Sequence, residues 1–156
     1  MRKMLFGAVS LVALVAGGIP AAFANPPVKT TLSVDFILND PCTGEAVHFT
    51  GSETFSTAFS TNANTFHFFN HITFHLDGVG LTTGAKYVAN GETNAEENGS
   101  LPFGSFPVEE NVVLNEHFIA QGALDNSTHR ETFHVTINAN GTVTVDRLST
   151  EAFCQS

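Results

Sequence analysis

Residues 65–76 read Thr-Phe-His-Phe-Phe-Asn-His-Ile-Thr-Phe-His-Leu. If this stretch is extended, its side chains divide between two faces: Phe66, Phe68, Ile72, Phe74 and Leu76 on one, and His67, Phe69, His71, Thr73 and His75 on the other. A period of two with one apolar face is typical of a half-buried β-strand, and helical spacing fits much less well. The stretch therefore predicts a strand that presents phenylalanine to a core.

Alternating patterns and turn residues predict six more strands around this one. Their expected ranges are 31–38, 45–60 with a bulge at Gly51, 79–89, 108–121, 128–138 and 142–153. Asp77-Gly78 is expected to close the 65–76 strand, and 90–107, rich in Asn, Gly and Glu, is expected to be the longest loop. Ala139-Asn140-Gly141, with Gly141 at positive φ, is expected to set Ile137 opposite Val143, Val135 opposite Val145 and His134 opposite Asp146.

Seven or eight strands without an amphipathic helix predict an all-β domain. We favour a single antiparallel β barrel over a sandwich, because long bent strands can close and so remove exposed edges. An outer-membrane barrel is disfavoured, since its interfacial girdles use Tyr and Trp whereas this chain has one Tyr and no Trp.

The chain begins with Arg2 and Lys3, continues with an apolar run over 5–19, and reaches Ala22-Phe23-Ala24. This order predicts a secretory signal peptide over 1–24, followed by a single β domain over 25–156. No second apolar stretch is long enough to span a bilayer. The expected destination is the periplasm or the medium.

The mature chain is acidic. The whole sequence has six basic and fifteen acidic residues; removal of Arg2 and Lys3 leaves four basic ones and a net charge of −11 with His neutral. Such a surface disfavours nucleic acid and anionic membranes as partners. A domain of this length can bury a core unaided, so no cofactor is predicted.

Cys42 and Cys154 are the two cysteines. In an exported chain they are expected to pair, because the compartment is oxidising and neither lies in a CxxC or beside a histidine. A disulfide that closes a loop of about 100 residues stabilises the folded state by up to about 4 to 5 kcal/mol.

The histidines at 67, 71 and 75 recur every fourth residue, which separates strand neighbours by roughly 13 Å, too far for one zinc ion. A hairpin around Asn62 and Ala63 would bring His75 near Thr50 and His48, so His48 and His75 are candidate metal ligands. The alternative is a set of histidines on the solvated face of a β hairpin. In an inverted arrangement, His67, Phe69, His71 and His75 would face a ligand, with the histidines in the barrel interior.

No catalytic residue is predicted. Glu96-Glu97 and Glu109-Glu110 are adjacent pairs whose side chains would point to opposite faces of a strand, and no nucleophile elbow, phosphate loop or EF-hand pattern occurs.

Asp40-Pro41-Cys42-Thr43-Gly44-Glu45, Thr83-Gly84 followed by Tyr87, and a cysteine near the C-terminus are the most distinctive local features. With them the chain resembles a group of uncharacterised exported bacterial β proteins. The resemblance implies export and the disulfide, and it implies no activity.

Our leading hypothesis is an exported module that binds a small apolar or aromatic ligand, motivated by the fifteen phenylalanines. The alternatives are a cyclase- or isomerase-type barrel enzyme with cavity histidines, and a structural or surface-interaction protein. The oligomeric state is left open.

Overall fold

The computed structural model describes residues 23–24, 26–121 and 126–155. The expected signal peptide lies outside these residues except for Phe23 and Ala24. The described chain is all-β, as predicted, with strands β1 (Phe23–Ala24), β2 (Val28–Asn39), β3 (Ala46–Thr61), β4 (Thr65–Gly80), β5 (Lys86–Ser100), β6 (Ser105–Ala120), β7 (Asn126–Ile137) and β8 (Val143–Gln155).

All strands belong to one antiparallel sheet. From β2 to β8 each strand pairs with the next along the chain, and the short β1 pairs with β3 on the same side as β2. Among the described residues, β2 and β8 do not pair with each other. The predicted antiparallel sheet is therefore confirmed, and it is not closed by hydrogen bonds into a barrel.

One face of the sheet, here called the inner face, carries the hydrophobic core. It consists of the even-numbered residues of β2, β4, β6 and β8 and the odd-numbered residues of β3, β5 and β7, which the register places together. Its buried centre is the cluster Val47, Phe49, Leu76, Tyr87, Ala89, Phe118 and Ala120. This orientation of β4, with phenylalanine inward and histidine outward, is the one that the 65–76 pattern predicts.

The sheet is strongly curled at the end where this core lies. The rings of Phe49 in β3 and Phe118 in β6 are 5.6 Å apart, although three strand spacings of a flat sheet measure about 14 Å. The predicted disulfide is confirmed: it links Cys42, in the β2–β3 turn, to Cys154 in β8, with Cα atoms 5.7 Å apart. In a flat sheet β3 and β8 would be separated by about 24 Å.

The expected strand at 79–89 is wrong in its bounds, since a turn at 81–85 divides it between β4 and β5, and the expected loop at 90–107 is wrong. β4 continues through Asp77-Gly78 to Gly80, and most of the predicted loop forms β5. Asn, Gly and Glu are poor strand formers in general, but here the glycines make room for aromatic rings. A β-carbon at Gly91 would lie 2.5 Å from the Asn115 carbonyl oxygen and closer still to Phe74.

Two expectations about register are also wrong. Pairing runs without interruption through Gly51, so no bulge lies there. In the β7–β8 hairpin Gly141 has φ +80° and Ile137 faces Val143, as expected. A register shift between Thr136 and Ile137 then places Val135 opposite Asp146 and His134 opposite Arg147 instead.

The described residues include no helix long and apolar enough to cross a membrane. The disulfide is consistent with an oxidising, extracellular compartment.

Candidate functional site

The half of the inner face farthest from the disulfide is covered only at its end among the described residues, where the Phe103 ring of the β5–β6 turn lies 4.9 Å from Phe66 and 6.1 Å from Phe59. It carries apolar side chains that are only half-buried, and we call this surface the open half of the inner face: Phe55, Phe59, Phe68, Ile72, Leu114 and Phe133. An apolar sheet face normally packs against another layer. Most of this half therefore lacks a packing partner within the described part of the chain.

A carboxylate and an imidazole meet where the core ends and the open half begins. Glu116 in β6 and His129 in β7 are cross-strand neighbours, and Nδ1 of His129 lies 3.2 Å from Oε2 of Glu116. Both side chains are about four-fifths buried. Burial raises the pKa of Glu116, and the hydrogen bond from His129 partly offsets that rise.

Glu53 lies on the same transverse row, separated from Glu116 by Phe74 and Gly91. Burial raises the pKa of Glu53 as well. The two glutamates border a cavity of about 30 Å³ that is otherwise lined by apolar side chains such as Phe49 and Phe118, which is room for about one water molecule. The site can hold a proton between Glu116 and His129, or accept a hydrogen bond from a donor on a ligand.

The opposite, outer face is polar and repeats itself. Three transverse rows have the order Ser, His, Asn, a variable residue and Thr across β3 to β7: Ser60–His67–Asn98–Glu109–Thr136, Ser56–His71–Asn94–Val113–Thr132 and Ser52–His75–Asn90–His117–Thr128. Four residues separate one row from the next along each strand, which is about 13 Å.

Each β4 histidine of these rows is bonded to the asparagine beside it, whereas His117 of the third row is bonded to Thr128. Nδ1 of His67 and of His71 lie 2.6 Å and 2.7 Å from the amide oxygens of Asn98 and Asn94, and His75 pairs with Asn90 in the same way. An amide oxygen only accepts hydrogen bonds, so Nδ1 carries the proton. In the neutral ring the lone pair then resides on Nε2.

The histidines of β4 thus lie on the face opposite to the core. His67 and His75 are exposed, and His71 and Phe69 are half-buried on the same outer face. The inverted arrangement, with these histidines inside, is not the one that the structure has. Ligand binding by His67, Phe69, His71 and His75 stays a prediction, although the interior position expected for them is not the observed one.

The candidate metal ligands are not brought together. The turn at Ala63 and Asn64 comes one residue later than expected, so His75 faces Ser52 and not Thr50. His48 faces Val79, and its Nε2 lies 2.7 Å from Oδ1 of Asp35. Within the described ranges, no group of three His, Cys, Asp or Glu side chains is placed to hold a metal ion.

A groove of about 440 Å³ runs over the first of the three rows, beside the β3–β4 and β5–β6 turns. Ser60, His67 and Asn98 line it in the order of a hydrolytic triad. However, the described contacts include no hydrogen bond between Ser60 and His67, and the same order occurs in all three rows. The order is therefore a property of the sheet surface and not of one catalytic centre.

The motif behind the sequence resemblance has a structural role. The Glu45 carboxylate accepts hydrogen bonds from the backbone N–H groups of Thr82 and Thr83, from the Thr83 hydroxyl and from the Tyr87 hydroxyl. It ties the β2–β3 turn to the β4–β5 turn. The Thr83 backbone N–H makes the largest contribution to lowering the pKa of Glu45.

No protein-family model matches the chain, and neither a curated protein sequence nor a solved structure is significantly similar to it.

The sequence interpretation missed Glu116 and His129. Both were visible as titratable residues in predicted strands, but their meeting depends on the β6–β7 register. No turn signal fixes that register, and the connection at 122–125 lies outside the described residues.

Proposed function

We propose that the protein is an exported binding module that takes a small apolar or aromatic ligand on the open half of the inner face. In this proposal the curled sheet acts as a barrel left open on one side. The observation that carries the proposal is the uncovered apolar surface formed by Phe55, Phe59, Phe68 and their neighbours. Ligand sites are concave and mostly apolar, with a few polar groups that fix orientation.

The Glu116–His129 pair supplies such polar groups. The pair lies where the open half meets the filled core. A bound ligand would therefore contact apolar side chains along its length and the hydrogen-bonding pair at one end. Beyond it, Phe49 and Phe118 fill the interior. The site is therefore blind at the disulfide end, and Phe103 packs on Phe59 and Phe66 at the other. It is open along the side between β2 and β8, which do not pair within the described chain.

Phe68 and Phe69 offer a matched test, because they are adjacent, chemically identical and both half-buried, yet lie on opposite faces. Binding of Nile red, a neutral apolar dye, is followed by fluorescence. Loss of one phenylalanine contact weakens binding by about tenfold or more, so Phe68→Ala is expected to raise the Kd by that factor and Phe69→Ala to leave it unchanged.

The opposite result, with only Phe69→Ala affecting the Kd, would move the site to the outer face with His67, His71 and His75. Absence of any dye binding, together with native mass spectra of the exported protein without a co-purified small molecule, would contradict the proposal.

A second candidate function rests on the same pair of residues. A carboxyl group with a raised pKa beside an imidazole can move protons on a ligand held over it. A cyclase- or isomerase-type enzyme would thus use His129, not the histidines of β4. Glu116→Gln separates the two functions, because it removes the ionisable acid while keeping the shape: dye binding persists in both cases, and turnover disappears only in an enzyme.

A further inference from the structure

Strand β8 is an exposed edge. It pairs with β7 on one side, and on its other side the described residues provide no strand. Every residue from Val143 to Gln155 is exposed, including the apolar Leu148 and Phe153. An edge of this length offers a row of unpaired backbone groups to another strand.

The outer-face residues of β8 form a self-complementary series: Val145, Arg147, Ser149, Glu151 and Phe153. If a second β8 runs antiparallel to the first about a two-fold axis at Ser149, each Arg147 faces Glu151 of the other copy. Each Val145 then faces Phe153 of the other copy. Opposite charges and apolar pairs directly across an antiparallel ladder are stabilising.

We propose that two copies of the chain associate through antiparallel pairing of their β8 strands, centred on Ser149. The interface is isologous, because the two-fold axis stands perpendicular to the sheet and keeps the inner faces on the same side. It extends the sheet sideways, and it neither uses nor covers the open half of the inner face.

The charges next to this edge favour the same register. In β7, Arg130 faces Glu151 and His134 faces Arg147. Across the interface the row reads Arg130, Glu151, then Arg147 and His134 of the second copy. Within the described residues neither Arg147 nor Glu151 forms an ion pair. If the two-fold axis passed through Leu148, Arg147 would face Ser149 of the second copy. If it passed through Thr150, Arg147 would face Phe153 of the second copy.

The other edge fits less well. A β2 pair centred on Leu32 would place Lys29 opposite Asp35 of the second copy, but the Asp35 carboxylate is already held by His48 at 2.7 Å. Charge complementarity therefore selects β8 over β2.

The test is sedimentation equilibrium of the disulfide-bonded protein with charge-reversal variants. Arg147→Glu places two glutamates opposite each other at both symmetric positions, and Glu151→Arg places two arginines there. Each variant alone is expected to weaken the dimer by about tenfold or more. An equimolar mixture is expected to recover the wild-type affinity as a heterodimer, because both pairs become complementary.

Recovery on mixing also demonstrates that each variant is folded. Lys29→Glu, the same kind of charge reversal on the other edge, is the matched control and is expected to have no effect. A monomeric wild-type protein, a mixture that does not recover, or a loss of dimer in Lys29→Glu alone would each overturn the proposal; the last result would assign the interface to β2.

Discussion

The Tyr87 hydroxyl donates a hydrogen bond of 2.9 Å to Oε2 of Glu45 and so joins the start of β5 to the β2–β3 turn, between which the chain runs the full length of β3 and β4. Tyr87 is 1% exposed and belongs to the hydrophobic core. The bond explains why the Asp-Pro-Cys-Thr-Gly-Glu segment and the later Tyr stand out together in the sequence. Together this segment and Tyr87 link the β2–β3 turn to β5 at the disulfide end of the sheet.

Tyr87 is the one tyrosine of the chain, and no tryptophan is present, so its ionisation can be followed directly. Burial, aided by the Glu45 hydrogen bond, raises its pKa from 10.0 to about 12. The folded protein holds the phenolic proton more tightly than the unfolded chain. The stability due to this group is therefore complete below pH 10 and is lost as the pH rises toward about 12.

Ultraviolet titration of tyrosinate is expected to give a midpoint well above that of a free tyrosine, with unfolding on the alkaline side. Denaturant removes the shift, which provides the control. A midpoint near 10 under native conditions would mean that Tyr87 is exposed, contrary to the core described above.

The glutamates on the inner face lead us to expect an unusual dependence of the stability of the fold on pH. Burial is the first cause that raises the pKa of Glu53, Glu110 and Glu116 above 4.5. A carboxyl group whose pKa is raised by folding contributes stability that is complete below its pKa in the unfolded chain. That stability is lost as the pH rises through its pKa in the folded protein. Lowering the pH from neutral toward 4.5 is thus expected to stabilise the fold.

Glu45 has the opposite effect, because its pKa is lowered. Its contribution to the stability of the fold is present above pH 4.5 and is lost as the pH falls through the pKa of Glu45 in the folded state. Urea denaturation across this pH range is expected to give a maximum on the acid side of neutral. Glu116→Gln is expected to flatten the rise, and an unchanged rise in that variant would contradict the assignment.

Gly91 in β5 is predicted to tolerate a side chain poorly. A β-carbon there would press on Phe74 and on the Asn115 carbonyl, so Gly91→Ala is expected to destabilise by about 1–3 kcal/mol as an overpacked site. Thr93→Ala, on the same strand and face and half-buried, is the control and is expected to cost less. Equal effects in thermal denaturation would indicate that Phe74 moves aside without cost.

His75 and Leu76 are adjacent residues that differ in burial. Leu76 is 2% exposed in the core, whereas His75 is exposed on the outer face with Asn90. Leu76→Ala is expected to cost about 2–5 kcal/mol, and His75→Ala no more than about 1 kcal/mol. A large loss for His75→Ala in equilibrium unfolding would place that side chain inside.

The sequence predicted the elements whose pattern is local. The alternation in 65–76 identifies β4 and its buried face, and the two cysteines, together with the predicted signal peptide, identify the disulfide. β5 could not be predicted, because its residues are unfavourable one by one. They become favourable through neighbours on other strands, Phe74 over Gly91 and His71 bonded to Asn94.

The site was less predictable than the fold. The repeated Ser, His and Asn positions were visible along each strand, but their alignment into rows follows from the register of five strands. The Glu116–His129 pair depends in the same way on the β6–β7 register. The turn at Ala63 and Asn64 illustrates the sensitivity: a shift of one residue at its tip moves every partner of β4 by two positions.

Six antiparallel pairings separate β2 from β8, so the two edge strands run in the same direction. A ladder that closed the described sheet directly would have to be parallel, unlike all the others in it. The Cys42–Cys154 bond sets the circumference at one end without requiring such a ladder. At the opposite end, where the proposed ligand lies, the width of the mouth is determined by twist and side-chain packing instead of by hydrogen bonds across the gap.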